Sequence, residues 1–171
     1  MDIGQLTASQ QKWTVEELES LYGRISDEPR LCGQLMEHLN DSASQQAASW
    51  LLKRALVEGQ EPSQKDVGAY YRSLSKLKHW ETRLNVLQCL PYLYIGKRDA
   101  SKLESFLRDC LQSENKFVRA WSYNGFNELA LQQACYQPEV DSLLAAAQAD
   151  EAPSVRARIR NILKQRLVND S

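Results

Sequence analysis

The chain has 171 residues, 43% of them hydrophobic and 25% charged, with a formal net charge of −1. That is the composition of a water-soluble globular protein with enough apolar residues for one core. It argues against a bulk nucleic-acid coat, which needs a strongly basic balance, and no apolar run approaches the ~20 residues of a membrane-spanning helix.

Met1-Asp-Ile-Gly-Gln-Leu-Thr has neither a basic region nor an apolar core, so no secretory signal is expected and a cytoplasmic location is. Residues 1–13 are polar and Gln-rich and read as a poorly ordered lead-in, with 14–171 as a single domain. Thr14 with Glu17 three residues later predicts a capping box, followed by a helix over 15–25 whose stripe is Val15, Leu18, Leu21, Tyr22 and Ile25. Asp27-Glu-Pro-Arg30 is expected to open a helix that Asn40-Asp-Ser42 closes, with Pro29 in its first turn and Leu31, Leu35, Met36 and Leu39 buried. A partner helix follows over 44–58, and Gly59-Gln-Glu-Pro-Ser63 is the clearest loop. Further pairs are expected at 64–77 with 80–95, 100–112 with 116–134, and 138–149 with 153–168. Pro91 should kink the helix over 80–95, because it removes a backbone donor. Few glycines and prolines (7 and 5) and no alternating β-branched run point to an all-α protein of nine helices.

The second helices repeat. With Arg119 as position zero, Val118 precedes it, and Ser122, Phe126 and Leu129 stand at +3, +7 and +10. Arg156 repeats this with Val155, Ile159, Leu163 and Arg166-Leu167, and Arg83 with Val86, Leu90 and Leu93. A fainter copy starts at Gln45, with Ala48, Leu52 and Ala55. The copies are spaced by 38, 36 and 37 residues. That period marks stacked helical pairs, and the offsets fall on one face of a helix. Val118-Arg119 and Val155-Arg156, with the small and apolar residues that follow, resemble the second helices of the HEAT-repeat family, armadillo-like α-solenoids, over residues 28 to 168. The resemblance implies a right-handed α-α superhelix of about four helical pairs plus an N-terminal capping helix. It also implies that the Arg row at position zero is structural, each guanidinium bonding an acidic or carbonyl group of a neighbouring repeat.

No catalytic signature is present, neither a Gly-x-Ser-x-Gly nor a phosphate-cradling loop nor a His-Glu-x-x-His, so no enzyme is expected. The two histidines, His38 and His79, stand apart, and Cys32, Cys89, Cys110 and Cys135 form no Cys-x-x-Cys. No metal site or cofactor is therefore expected, and the thiols read as reduced fillers of helix interfaces. Two rows lie off the core positions of the second helices. Position +5 holds Trp50, Gln88, Asn124 and Asn161, and position +2 holds Ala47, Asn85, Trp121 and Arg158. In a solenoid these rows face the concave surface. Trp50, Asn85, Gln88, Trp121, Asn124, Arg158 and Asn161 are thus candidate partner-binding residues. The alternative is an amide ladder that fixes helix stacking, with the tryptophans buried between helices. Arg156, Arg160 and Lys164, at i, i+4 and i+8, form a basic strip that suits phosphates or a solvated end-cap.

Charge is uneven, −5 over residues 1–41 and +4 over 153–171. The expected function is a non-catalytic binding or scaffold module that takes a protein partner on its concave face, with Trp50, Trp121 and Tyr123 as anchors. Nucleic-acid binding is the alternative. The architecture is similar to HEAT-like alkylpurine DNA glycosylases of the AlkD type, but the chain is shorter, and its second helices offer Glu81 and Glu128 where that family uses an Asp.

Overall fold

The computed structural model describes residues 2–10 and 12–169. Met1, Gln11, Asp170 and Ser171, which the expected ranges 1–13 and 14–171 include, lie outside the described residues. The described residues are helical, with no strand. Ten α-helices run α1 Ile3–Thr7, α2 Val15–Ile25, α3 Leu31–His38, α4 Gln45–Val57, α5 Gln64–Ser73, α6 Trp80–Cys89, α7 Lys97–Leu111, α8 Lys116–Gln132, α9 Gln137–Asp150 and α10 Pro153–Asn169. Three short 3₁₀ helices follow: Leu74–Lys76 and Leu90–Tyr92 extend α5 and α6, and Ala134–Tyr136 leads into α9. Among these helices none is long and apolar enough to cross a membrane. The chain divides into two compact units, residues 1–94 and 95–171.

In the first unit α3 packs against α4 and α5, and α4 against α6 and α2. The capping box expected at the start of α2 forms: the Glu17 amide donates to the Thr14 hydroxyl and the Thr14 amide to the Glu17 carboxylate. Leu18, Leu21, Tyr22 and Ile25 are buried, but Val15 is 58% exposed, since the first turn of α2 overhangs its neighbours. Within the expected lead-in, α1 seats Ile3 and Thr7 in the core, and Gly4 lies against the His38 imidazole. Pro29 stands outside α3. Arg30 is the N-cap instead, in the left-handed region at φ 56°. Pro91 ends α6 rather than kinking it. The α-helix stops at Cys89, and Pro91 sits in the following 3₁₀ turn, where its missing donor costs nothing. The buried Tyr70 hydroxyl donates to the Val86 carbonyl at 2.7 Å and ties α5 to α6.

In the second unit α8 packs against α7, α9 and α10, and α9 against α10. Asn115 caps α8, its side-chain oxygen accepting from the amides of Phe117 and Val118. Two glutamines at the far end of α8 hold the strap that enters the unit: the Ile95 amide donates to Gln132 and Gln133 donates to the Ile95 carbonyl.

The repeat register is visible in burial. Ala48, Val86, Ser122 and Ile159 at +3 are all fully buried. At +7 and +10, Leu52, Leu90, Phe126, Ala55, Leu93 and Leu129 are buried too. The fourth copy departs: Leu163 is half-buried and Leu167 is 71% exposed, while Arg166 takes the +10 place.

Candidate functional site

The side chain at position zero does the same work in three copies. Gln45 donates to the Leu39 carbonyl at 3.0 Å, Arg83 to Leu77 at 2.9 Å and Arg119 to Ser113 at 2.8 Å. Each acceptor lies six residues back, at or near the C-terminal end of the preceding helix, where carbonyls lack an intrahelical partner. The row is structural, as the sequence suggests, but the acceptor belongs to the same helical pair. Gln45 performs this role without a charge, so the copy that looks weakest in sequence is intact. Arg119 reaches further, donating also to the Glu114 carbonyl and to Glu151. The fourth copy again differs: Arg156 is half-buried and its Nε has no partner among the described residues.

The two rows beside it divide. In the first unit Ala47 is fully buried, so the +2 row there is represented by Asn85 alone. Asn85 bridges α6 to α4, accepting from Lys53 Nζ at 3.0 Å and donating to Ser49 Oγ at 3.3 Å. The Lys53 ammonium stands 5.9 Å from the centre of the half-buried Trp50 ring, and burial pulls its pKa below the usual lysine value. Half-buried Gln88 makes no hydrogen bond among the described residues through its side-chain amide. Arg54, one residue on from Lys53, is taken up by Glu19 and Glu58 and lies over Tyr22.

In the second unit the half-buried Trp121 ring carries the Arg158 guanidinium 4.1 Å from its centre, and Arg158 has no carboxylate partner among the described residues. Asn124 is only 7% exposed, yet its carboxamide has no hydrogen-bond partner among the described residues. Asn161, opposite it by register, is exposed. The +5 amides thus form no ladder among the described residues; the interhelix bridge is made one turn earlier, by Asn85. Trp50 and Trp121 are neither fully buried nor free, each showing part of its ring beside a cation. Tyr123 is 6% exposed and its hydroxyl donates to Glu151, so it is packed rather than offered as an anchor. Burial and then Glu151 push its pKa up to about 12.

On α10, Arg160 and Lys164 are exposed, and neither they nor Arg156 form an ion pair among the described residues. Arg166 is different. It donates to Asn127 on α8 and Asp141 on α9 and joins three helices. Sequence reading placed it only as a basic residue at a core position; that misfit was the available signal. Glu128, on α8, is half-buried, and burial raises its carboxyl above the usual range. It lines a recess of about 440 Å³ with Leu131, Lys164 and Val168.

Three of the cysteines, Cys32, Cys89 and Cys110, are buried and outside any disulfide, and burial pushes Cys32 up to about 11. Cys135 does not fill an interface but is exposed, because the 3₁₀ turn after α8 carries it outward. Among the described residues no three His, Cys, Asp or Glu side chains are grouped to hold a metal ion. The chain matches no protein-family model, no curated protein and no solved structure.

Proposed function

We propose that this chain is a non-catalytic, HEAT-like α-solenoid module of the cytoplasm that recognises a protein partner through the concave face of its second helices, α4, α6, α8 and α10. The observation that carries this reading is the Trp121–Arg158 stack, a half-buried aromatic ring under a guanidinium without a carboxylate partner among the described residues. Trp and Arg in partly desolvated positions supply most of the binding energy at protein interfaces. The same device recurs in weaker form at Trp50 and Lys53 in the first unit. Each unit also holds a side-chain amide with no hydrogen-bond partner among the described residues, Gln88 in the first and Asn124 in the second, suited to a polypeptide backbone.

Nucleic-acid binding is the second reading, favoured by Arg156, Arg160 and Lys164 on α10, which form no ion pair among the described residues. Against it, Arg54 and Arg166 are occupied by carboxylates, and Glu128 places a carboxyl on the helix that bears Trp121. Capture from the native host's lysate, with and without nuclease, tests the choice. The reading expects a protein retained after nuclease treatment, which, once purified, binds the wild-type chain and is released by Trp121→Ala. Retention of nucleic acid that weakens steeply with salt, and in Arg158→Ala with Arg160→Ala, would replace it with the second reading.

A further inference from the structure

The period of 37 residues between the last two copies pairs side chains across α8 and α10: Trp121 with Arg158, Asn124 with Asn161, Glu128 with Gln165, and Leu131 with Val168. On each helix these positions fall at i, i+3, i+7 and i+10, one face. The face is not uniform. At one end stands the Arg158 guanidinium, flat on Trp121 and without a carboxylate among the described residues. At the other stands Glu128, whose half-buried carboxyl has no hydrogen-bond or ion-pair partner among the described residues. Lys164 and Arg166 line the same recess, but Arg166 bonds Asp141 and Asn127 and leaves only Nη2 without a partner among the described residues, and neither cation makes an ion pair with Glu128 there. Beyond Glu128, Leu131 and Val168 are 54% and 69% exposed and offer an apolar floor. Between the two charges, Asn124 is more than nine-tenths buried and its amide has no hydrogen-bond partner among the described residues.

A half-buried carboxylate without a cation is costly, and it gains most from a donor that arrives with its own apolar stem. A half-buried guanidinium stacked on a ring keeps its edge for a carboxylate. We propose that this face binds a peptide segment of the partner that carries one acidic and one basic side chain, the acid meeting Arg158 and the base meeting Glu128. The proposal rests on the protein-binding reading and specifies the chemistry of the partner. Seven residues of α8 separate Trp121 from Glu128, about 10 Å along the axis. The two charges of the ligand are therefore three residues apart in a polyproline-like strand, or seven apart in a helix.

The test is selection of a random-peptide display library on the full chain. Enriched peptides are expected to carry opposite charges at one of those spacings. For a selected peptide, Glu128→Gln should weaken binding about tenfold. Removing the peptide's base should then cost little more in Glu128→Gln, and removing its acid little more in Arg158→Gln. Both substitutions are at partly exposed positions, and melting temperatures no lower than that of the wild type exclude unfolding. Peptides that depend on Trp121 but show no paired charges, or that bind Glu128→Gln as well as wild type, overturn the proposal and leave the protein-binding reading standing. No enriched peptide, or binding of single-stranded DNA instead, overturns both.

Discussion

Arg119 links α8 to the segments that follow α7 and α9. Its guanidinium closes the α7–α8 turn through two carbonyls and reaches Glu151 at the end of α9, with both side chains mostly buried. Arg119→Ala removes this donor from the two carbonyls and the cation from Glu151, which keeps only the Tyr123 hydroxyl and the Ala152 amide, and should destabilise the chain by about 2–3 kcal/mol in urea unfolding. Arg119→Lys should recover less than half, since an ammonium cannot span the three acceptors. A loss under about 0.5 kcal/mol would mean that water replaces the latch. Glu128 should act in the opposite direction. Its carboxyl is raised above its ordinary 4.5 by burial, so its charged form weighs against the folded state at neutral pH. That cost fades as pH falls through the raised value and is gone below 4.5. Glu128→Gln should therefore raise the melting temperature at pH 7, and the gain should vanish on acidification. At this scale the sequence was informative where residue type and register agree, as at Arg83 and Arg119. It was silent where a different residue does the same job: nothing in Gln45 alone signals that its amide would bond Leu39 as Arg83 bonds Leu77.

Among the elements, the start of α5 shows how local and tertiary terms combine. Ser63 and Asp66 form a capping box, and the same buried carboxylate is paired with Arg30 at the N-cap of α3. Arg30 and then Ser63 hold Asp66 below its ordinary 3.8. Its contribution is therefore complete above that value and lost as pH falls below it. Asp66→Asn should cost about 1–3 kcal/mol at pH 7, with the gap to wild type closing in strong acid, as read by unfolding at stepped pH. Gly33 makes room for this carboxylate: a Cβ there would stand 2.5 Å from Asp66 Cγ. Gly33→Ala should thus lower the melting temperature, although alanine normally favours a helix. Gly23, with nothing near its Cβ site, is the control where alanine should stabilise α2. The helices were legible because stripes such as Leu31, Leu35, Met36 and Leu39 repeat at helical spacing. Their ends were less so. The left-handed Arg30 goes with its pairing to Asp66 on another helix, which the local sequence does not encode.

For the whole molecule, the all-helical class and the buried register rows follow from a period near 37 residues and offsets of 3, 7 and 10. The division at residue 94 did not, because the clearest loop signal, Gly59–Ser63, lies inside the first unit. The candidate face was half legible. Its rows are set by register, but whether Asn124 bonds a neighbour or stays open, and whether Trp121 is covered, depend on distances between helices. The central claim is that the second helices form the binding face. Hydrogen–deuterium exchange of the full chain, alone and with the purified captured protein, tests it most directly. The account predicts slowed exchange in α4, α6, α8 and α10, strongest around Trp121 and Arg158, with α3, α5, α7 and α9 unchanged. Protection confined to those first helices or to α2, or an unchanged pattern at saturating partner, would contradict it.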